Sequence, residues 1–126
     1  MKCSIRELYQ FQIRGMKMAN LFLLDGSNWN DFFNKNHCYV MFTKSDCEQC
    51  KILEKHIVAA SFEKQITLAK LTLDKPGFAE LKQNHPWISR IDTLPFNTIF
   101  SNGKLIDSWS GSSFGRLQNK LSEISD

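Results

Sequence analysis

Cys38-Tyr39-Val40-Met41-Phe42-Thr43-Lys44-Ser45-Asp46-Cys47-Glu48-Gln49-Cys50-Lys51 is the stretch that decides the fold. Residues 38–43 are a continuous run of apolar and β-favouring side chains, which suits a central strand buried on both faces. Three polar residues and a Cys-x-x-Cys follow, and the hydrophobic period then changes from strand to helix. Ile52, Leu53, Ile57 and Ala60 supply an apolar face, while Lys51, Glu54, Lys55 and Lys64 are expected to face water. The spacing predicts a helix of about a dozen residues starting at the cysteine pair. Cys47 then sits at a helix N-terminus, where unpaired N–H groups and the helix dipole favour a thiolate. Cys50, one turn later, lies on the same side and can reach Cys47 without backbone movement.

A thiolate is the species that attacks a disulfide, so Cys47 is the candidate nucleophile and Cys50 the candidate resolving thiol. Two other readings stay open at this point. Half of a zinc or iron–sulfur site is one, since Cys-x-x-Cys recurs in zinc ribbons. It needs two further ligands; His37, Cys38, His56 and His85 exist, but no second pair has ligand spacing. A merely structural pair of buried thiols is the other. No metal is expected.

Working outward, residues 20–24 read as a short strand, followed by the turn Asp25-Gly26-Ser27. Ser27 or Asn28 is expected to cap a helix through about residue 35, with Trp29, Phe32 and Phe33 as its apolar face. Asn36 and His37 break that helix. Downstream, residues 66–73 read as a strand and Pro76-Gly77 opens a helix over about 77–84. Residues 96–100 form a strand after Pro95. Asn102-Gly103 signals a two-residue hairpin, and residues 104–109 return antiparallel. A terminal helix over about 114–124 presents Phe114, Leu117, Leu121 and Ile124 on one face. The order β-α-β-α-β-α-β-β-α, with right-handed crossovers, gives an α/β domain: a central mixed sheet of about five strands with helices on both faces.

The chain has 126 residues, 42% hydrophobic and 23% charged, which fits one soluble domain with its own core. No apolar run approaches the roughly 20 residues of a membrane span, so no membrane partner is expected. The net charge of +3 comes wholly from residues 1–19, and the remainder is neutral. A neutral body argues against nucleic acid as a partner. The basic piece is interrupted by charges and has no apolar core of a secretory signal. It reads as an N-terminal extension over residues 1–18, either an amphipathic helix bearing Ile5, Leu8, Tyr9 and Ile13 or an upstream reading of a chain that starts at Met16 or Met18. The domain proper is placed at residues 19–126. Four cysteines, two clustered and two scattered (Cys3 and Cys38), suggest a reducing cytoplasm and a working thiol pair rather than an extracellular disulfide framework.

Several segments together resemble the thioredoxin superfamily over about residues 19–125. Thr67-Leu68-Ala69-Lys70-Leu71-Thr72-Leu73-Asp74 resembles the third strand of thioredoxins, and Thr93-Leu94-Pro95 their cis-proline loop. Ser101-Asn102-Gly103-Lys104 and Gly111 resemble the closing hairpin and the glycine after it. The resemblance implies a thioredoxin fold, with Pro95 beside the redox pair and Thr93, Leu94, Pro95 and Gly111 in a substrate-binding groove. It implies a protein disulfide reductase that acts on disulfide-containing proteins as a monomer, with no cofactor beyond its own redox-active disulfide. An oxidase or isomerase would use the same parts.

The departures from that pattern are specific. The buried acid of thioredoxins falls on Met41, which leaves Lys70, its usual neighbour, to reach water or to help Cys50 directly. Glu48-Gln49 replaces Gly-Pro between the cysteines. Thr43-Lys44-Ser45-Asp46-Cys47-Glu48-Gln49-Cys50 and Trp109-Ser110-Gly111 are similar instead to the NrdH-redoxins, glutaredoxin-like electron donors to ribonucleotide reductase that thioredoxin reductase reduces. Ser110-Gly111-Ser112-Ser113 lacks the Gly-Gly-x-Asp-type segment with which glutaredoxins bind glutathione. Around Cys47, Asp46 and Glu48 are expected to disfavour the thiolate, and Lys44 and Lys51 to favour it.

Overall fold

A computed structural model describes residues 21–60, 62 and 66–124. The expected extension over residues 1–18 lies outside the described residues, as do Asn20 and Lys64. Strand β2 (Cys38–Thr43) is the spine of the molecule, and every one of its residues is buried. It pairs in parallel with β3 (Thr67–Thr72) and antiparallel with β4 (Phe96–Ser101). Beyond β3 lies the parallel β1 (Leu21–Leu23), and beyond β4 the antiparallel β5 (Lys104–Ser110). The sheet order is β1-β3-β2-β4-β5, the expected five-stranded mixed sheet.

Side chains of a strand alternate between the two faces, so β2 feeds two separate cores. Cys38, Val40 and Phe42 pack with Trp29, Phe32 and Phe33 of α1 (Trp29–Phe33), Leu81 of α3 (Ala79–Asn84) and Ile88 of a short 3₁₀ turn over Pro86–Arg90. Tyr39 and Met41 pack on the other side with Leu53 and Ile57 of α2 (Glu48–Ala59) and Leu117 and Leu121 of α4 (Phe114–Ser122). Each fully buried side chain of this size contributes about 1.5–3 kcal/mol of transfer free energy. Helices therefore cover both faces, and the sheet cannot shift register without exposing one core.

The hairpin forms where expected. Asn102 and Gly103 both adopt positive φ, +53° and +87°, as a two-residue turn between right-twisted strands demands. The Asn102 N–H donates to the Lys35 carbonyl and the Gly103 N–H to the Phe33 carbonyl, each at 2.9 Å, which fastens the hairpin tip to the end of α1.

Three expectations need correction. Helix α1 has five residues and ends at Phe33 rather than near residue 35. Asn28 occupies the N-cap position as expected, but its side chain makes no capping bond; the Asp25 carboxylate holds the turn, accepting from the Ser27 hydroxyl (2.7 Å) and from the N–H groups of Ser27 (2.8 Å) and Asn28 (3.1 Å). Those bonds, the Ser27 hydroxyl foremost, hold the Asp25 carboxyl below its ordinary value. Ile52 is not part of the buried face of α2: it is 45% exposed, because the inward stripe is Cys50, Leu53 and Ile57 and Ile52 falls beside it. Among the described residues, no helix is long and apolar enough to cross a membrane.

Candidate active site

Cys47 is the N-cap residue of α2, and a disulfide joins it to Cys50, with the two Cα atoms 5.3 Å apart. The Cys50 N–H donates to Cys47 Sγ at 3.2 Å, so one orphan donor of the helix start is spent on that sulfur. Exposure divides the pair: Cys47 is half-buried, whereas Cys50 is 2% exposed. The loop that delivers Cys47 is tied down from both ends. The Cys47 N–H donates to the Lys44 carbonyl at 3.2 Å. Asp74, just past β3, accepts from the Ser45 N–H (3.2 Å) and hydroxyl (3.1 Å). Desolvation is the largest single influence and opposes ionisation of Asp74, but the bonds from Ser45, the Asp74 N–H and the charge of Lys44 together hold its carboxyl below the ordinary value.

The charges next to Cys47 are of both signs. Lys44 and Asp46 are exposed, and Lys51 pairs with Glu48 at 3.3 Å one turn along the helix. An exposed pair of this kind is worth little to stability, but it removes two of the four charges expected to act on the thiolate.

Lys70 corrects the sequence reading. It neither reaches out to water alone nor stands unpartnered, because its ammonium grips both carboxylate oxygens of Glu54 at 3.0 and 3.1 Å. Register explains the meeting. Lys70 lies beside Met41 on the sheet face that α2 covers, and Glu54 is on α2 four residues past Cys50. Glu54 is thus half-buried against the sheet instead of facing water. Cys50, Glu54, Lys70, Lys44 and Lys75 line one cleft of about 410 Å³. Sequence reasoning missed Glu54, although its spacing from Cys50 was the available signal.

Just before β4, the Leu94–Pro95 peptide bond is cis. Pro95 is buried, Leu94 is half-buried against the α1-side core, and Thr93 is exposed with its hydroxyl on the Asp92 carboxylate at 3.3 Å. Gly111, at φ +113°, donates its N–H to the Pro95 carbonyl at 2.9 Å. The next residue, Ser112, reaches the first turn of α2 and donates its hydroxyl to Gln49 Oε1 at 2.8 Å. Gly111 and the Pro95 turn are therefore adjacent, and Gln49 borders them.

Trp87, Trp109 and Cys38 make packing contacts. Trp87 lies against Phe42, Phe96, Phe100 and His85. Trp109 is buried beside Tyr39, with Lys120 over its ring. Cys38 belongs to the α1-side core and donates its thiol to the Phe32 carbonyl; burial pushes that thiol up to about 12. Among the described residues, no group of three or more His, Cys, Asp or Glu side chains is arranged to hold a metal ion.

Solved structures with this architecture include several thioredoxins. A thioredoxin h from Nicotiana alata superposes with a TM-score of 0.69 at 19% identity, covering 90% of this chain and 100% of its own. Thioredoxin f2 of Chlamydomonas reinhardtii gives 0.68 at 18% identity over 82% of this chain and 95% of its own. The oxidised thioredoxin of Plasmodium falciparum gives 0.67 at 15% identity over 82% of this chain and 97% of its own. The chain has the thioredoxin fold, with a Cys-x-x-Cys disulfide at the start of its second helix. No family model matches the sequence, and no curated protein matches it.

Proposed function

We propose that the protein is a thiol–disulfide oxidoreductase that reduces protein disulfides. The observation that carries this reading is the asymmetric pair itself: an accessible Cys47 capping a helix, bonded to a shielded Cys50. In the dithiol form, the Cys47 thiolate attacks one sulfur of a substrate disulfide, and the other sulfur leaves as a thiolate that takes up a proton. The Cys50 thiol then loses its proton and attacks Cys47. The mixed disulfide breaks, the second substrate thiol is released, and the Cys47–Cys50 disulfide forms. Two electrons and two protons have moved to the substrate. Glu54 is the proton acceptor for Cys50 in this scheme, working across their shared cleft with Lys70 holding the carboxylate in place.

Reduction of insulin by dithiothreitol, with and without the protein, tests the reading. Wild-type acceleration that exceeds Cys47→Ser supports it, and equal rates overturn it. The direction of electron flow follows from the potential: a value of about −270 mV marks a reductant and one of about −120 mV an oxidant.

The finer assignments rest on the Asp-Cys-Glu-Gln-Cys and Trp-Ser-Gly segments. They favour a cytoplasmic electron donor recharged by thioredoxin reductase, with ribonucleotide reductase among its acceptors and no cofactor of its own. Turnover with NADPH and thioredoxin reductase, followed by supply of electrons to ribonucleotide reductase, tests each link in turn. The protein works as a monomer through residues 19–126, so deleting residues 1–17 leaves the insulin rate unchanged; loss of folding or rate on deletion refutes that boundary.

A further inference from the structure

Asn97, the second residue of β4, is completely buried, and every polar group of its side chain is used. Its Oδ1 accepts from the Tyr39 hydroxyl, and its Nδ2 donates to the main-chain carbonyls of Trp109 (3.1 Å) and Gly111 (3.0 Å). Carbonyls only accept, so these partners fix which way the carboxamide points. Gly111 is then held twice, by its carbonyl to Asn97 and by its N–H to Pro95. A buried amide satisfied in this way is a rigid anchor, because losing any partner leaves a desolvated polar group.

What the anchor holds is the loop that meets the redox site. Ser112, next in the chain, donates to Gln49 Oε1 at 2.8 Å, across 63 residues of sequence. With Oε1 engaged, the two N–H groups of the Gln49 carboxamide are turned away from Ser112. The surface at Gly111 is open, since a side chain built there would meet nothing within 4 Å. Gly111 is hydrogen-bonded to the Pro95 carbonyl and Ser112 to Gln49, two residues past Cys47, so this open surface lies between the Pro95 turn and the first turn of α2. An isolated hydrogen bond between exposed side chains carries little weight; this one ends a chain of bonds that begins in the core.

We propose that Gln49 is a specificity-determining residue, held by Ser112 so that its carboxamide N–H groups donate to a main-chain carbonyl of an extended peptide lying over Gly111. Asn97 is the positioning residue that fixes the loop. The proposal rests on the thiol–disulfide reading above and names the ligand chemistry of the same site: peptide backbone beside the disulfide, rather than the disulfide alone.

The test compares kcat/KM for insulin with kcat/KM for bis(2-hydroxyethyl) disulfide, a neutral disulfide without a peptide group. Using their ratio removes effects common to both, such as a change in thiolate basicity. Gln49→Ala is expected to lower the insulin preference about three- to tenfold through KM, the range of one net hydrogen bond. Gln49→Glu keeps an acceptor for Ser112 but has no N–H donors, so it is expected to lose the preference as well. Ser112→Ala lowers it and Ser112→Thr restores it. A ratio unchanged in Gln49→Ala, or a Gln49→Glu protein as selective as wild type, overturns the proposal while leaving the oxidoreductase reading intact. Wild-type protein that reduces neither disulfide overturns that reading itself. Gln49 and Ser112 contribute nothing to either core, so these variants fold.

Discussion

Cys47 and Cys50 share one disulfide but face different surroundings. Around Cys47 lie solvent, a loop pinned by Asp74, and exposed charges of both signs. Behind Cys50 lies a cleft lined by a half-buried ion pair, Glu54–Lys70, whose lysine is the register partner of the buried, apolar Met41. In the proposed cycle, attack on a substrate depends on the first set of groups and resolution on the second, so the two half-reactions should respond to separate substitutions.

The strongest blow to this contrast is at the sulfurs themselves. Cys47→Ser is expected to abolish disulfide reduction, whereas Cys50→Ser still attacks and accumulates a mixed disulfide visible by non-reducing mass spectrometry. Glu54→Gln should slow resolution about a hundredfold, the lower end of what a positioned general base supplies, with the rate of first attack unchanged in stopped-flow measurements. An equal slowing of both steps would break the distinction between the two sides.

Asn97→Leu leaves the Tyr39 hydroxyl and two carbonyls without their partner, and is expected to cost about 2–3 kcal/mol in urea unfolding. Asp74→Asn should slow attack a few-fold and leave resolution alone. Because the Asp74 carboxyl titrates below its ordinary value in the folded chain, its stabilisation is present above the unfolded value and is lost as pH falls through the folded one. The smallest effect lies far from both sulfurs. His85 is packed among Trp29, Phe33, Trp87 and Phe100, and desolvation lowers its pKa. The unfolded chain therefore binds that proton first, and stability declines as pH falls below about 6.5. His85→Phe should flatten this slope in thermal melts without altering either half-reaction.

Much of this molecule was legible along the chain. The six-residue apolar run of β2, the helix after the cysteines and the Asn102-Gly103 turn all stand where local pattern puts them, because each is decided by neighbours in sequence. Glu54 was misjudged because a charged residue on a helix reads as solvated until the strand beneath it is known. The Ser112–Gln49 contact joins segments 63 residues apart, and the Asn97 network depends on strand register; neither leaves a periodic trace. Ile52 shows the opposite error, an apolar residue credited with burial that the helix phase denies it.

The hairpin tip has a bearing on how samples age. Asn-Gly is the dipeptide most prone to spontaneous deamidation, which requires the glycine nitrogen to attack the asparagine side chain. Here that nitrogen, on Gly103, is engaged with the Phe33 carbonyl. Chemical shelf life is therefore tied to the docking of α1: conditions that loosen this helix expose Asn102 to conversion into aspartate or isoaspartate, and the resulting gain in mass would record how often the helix had let go.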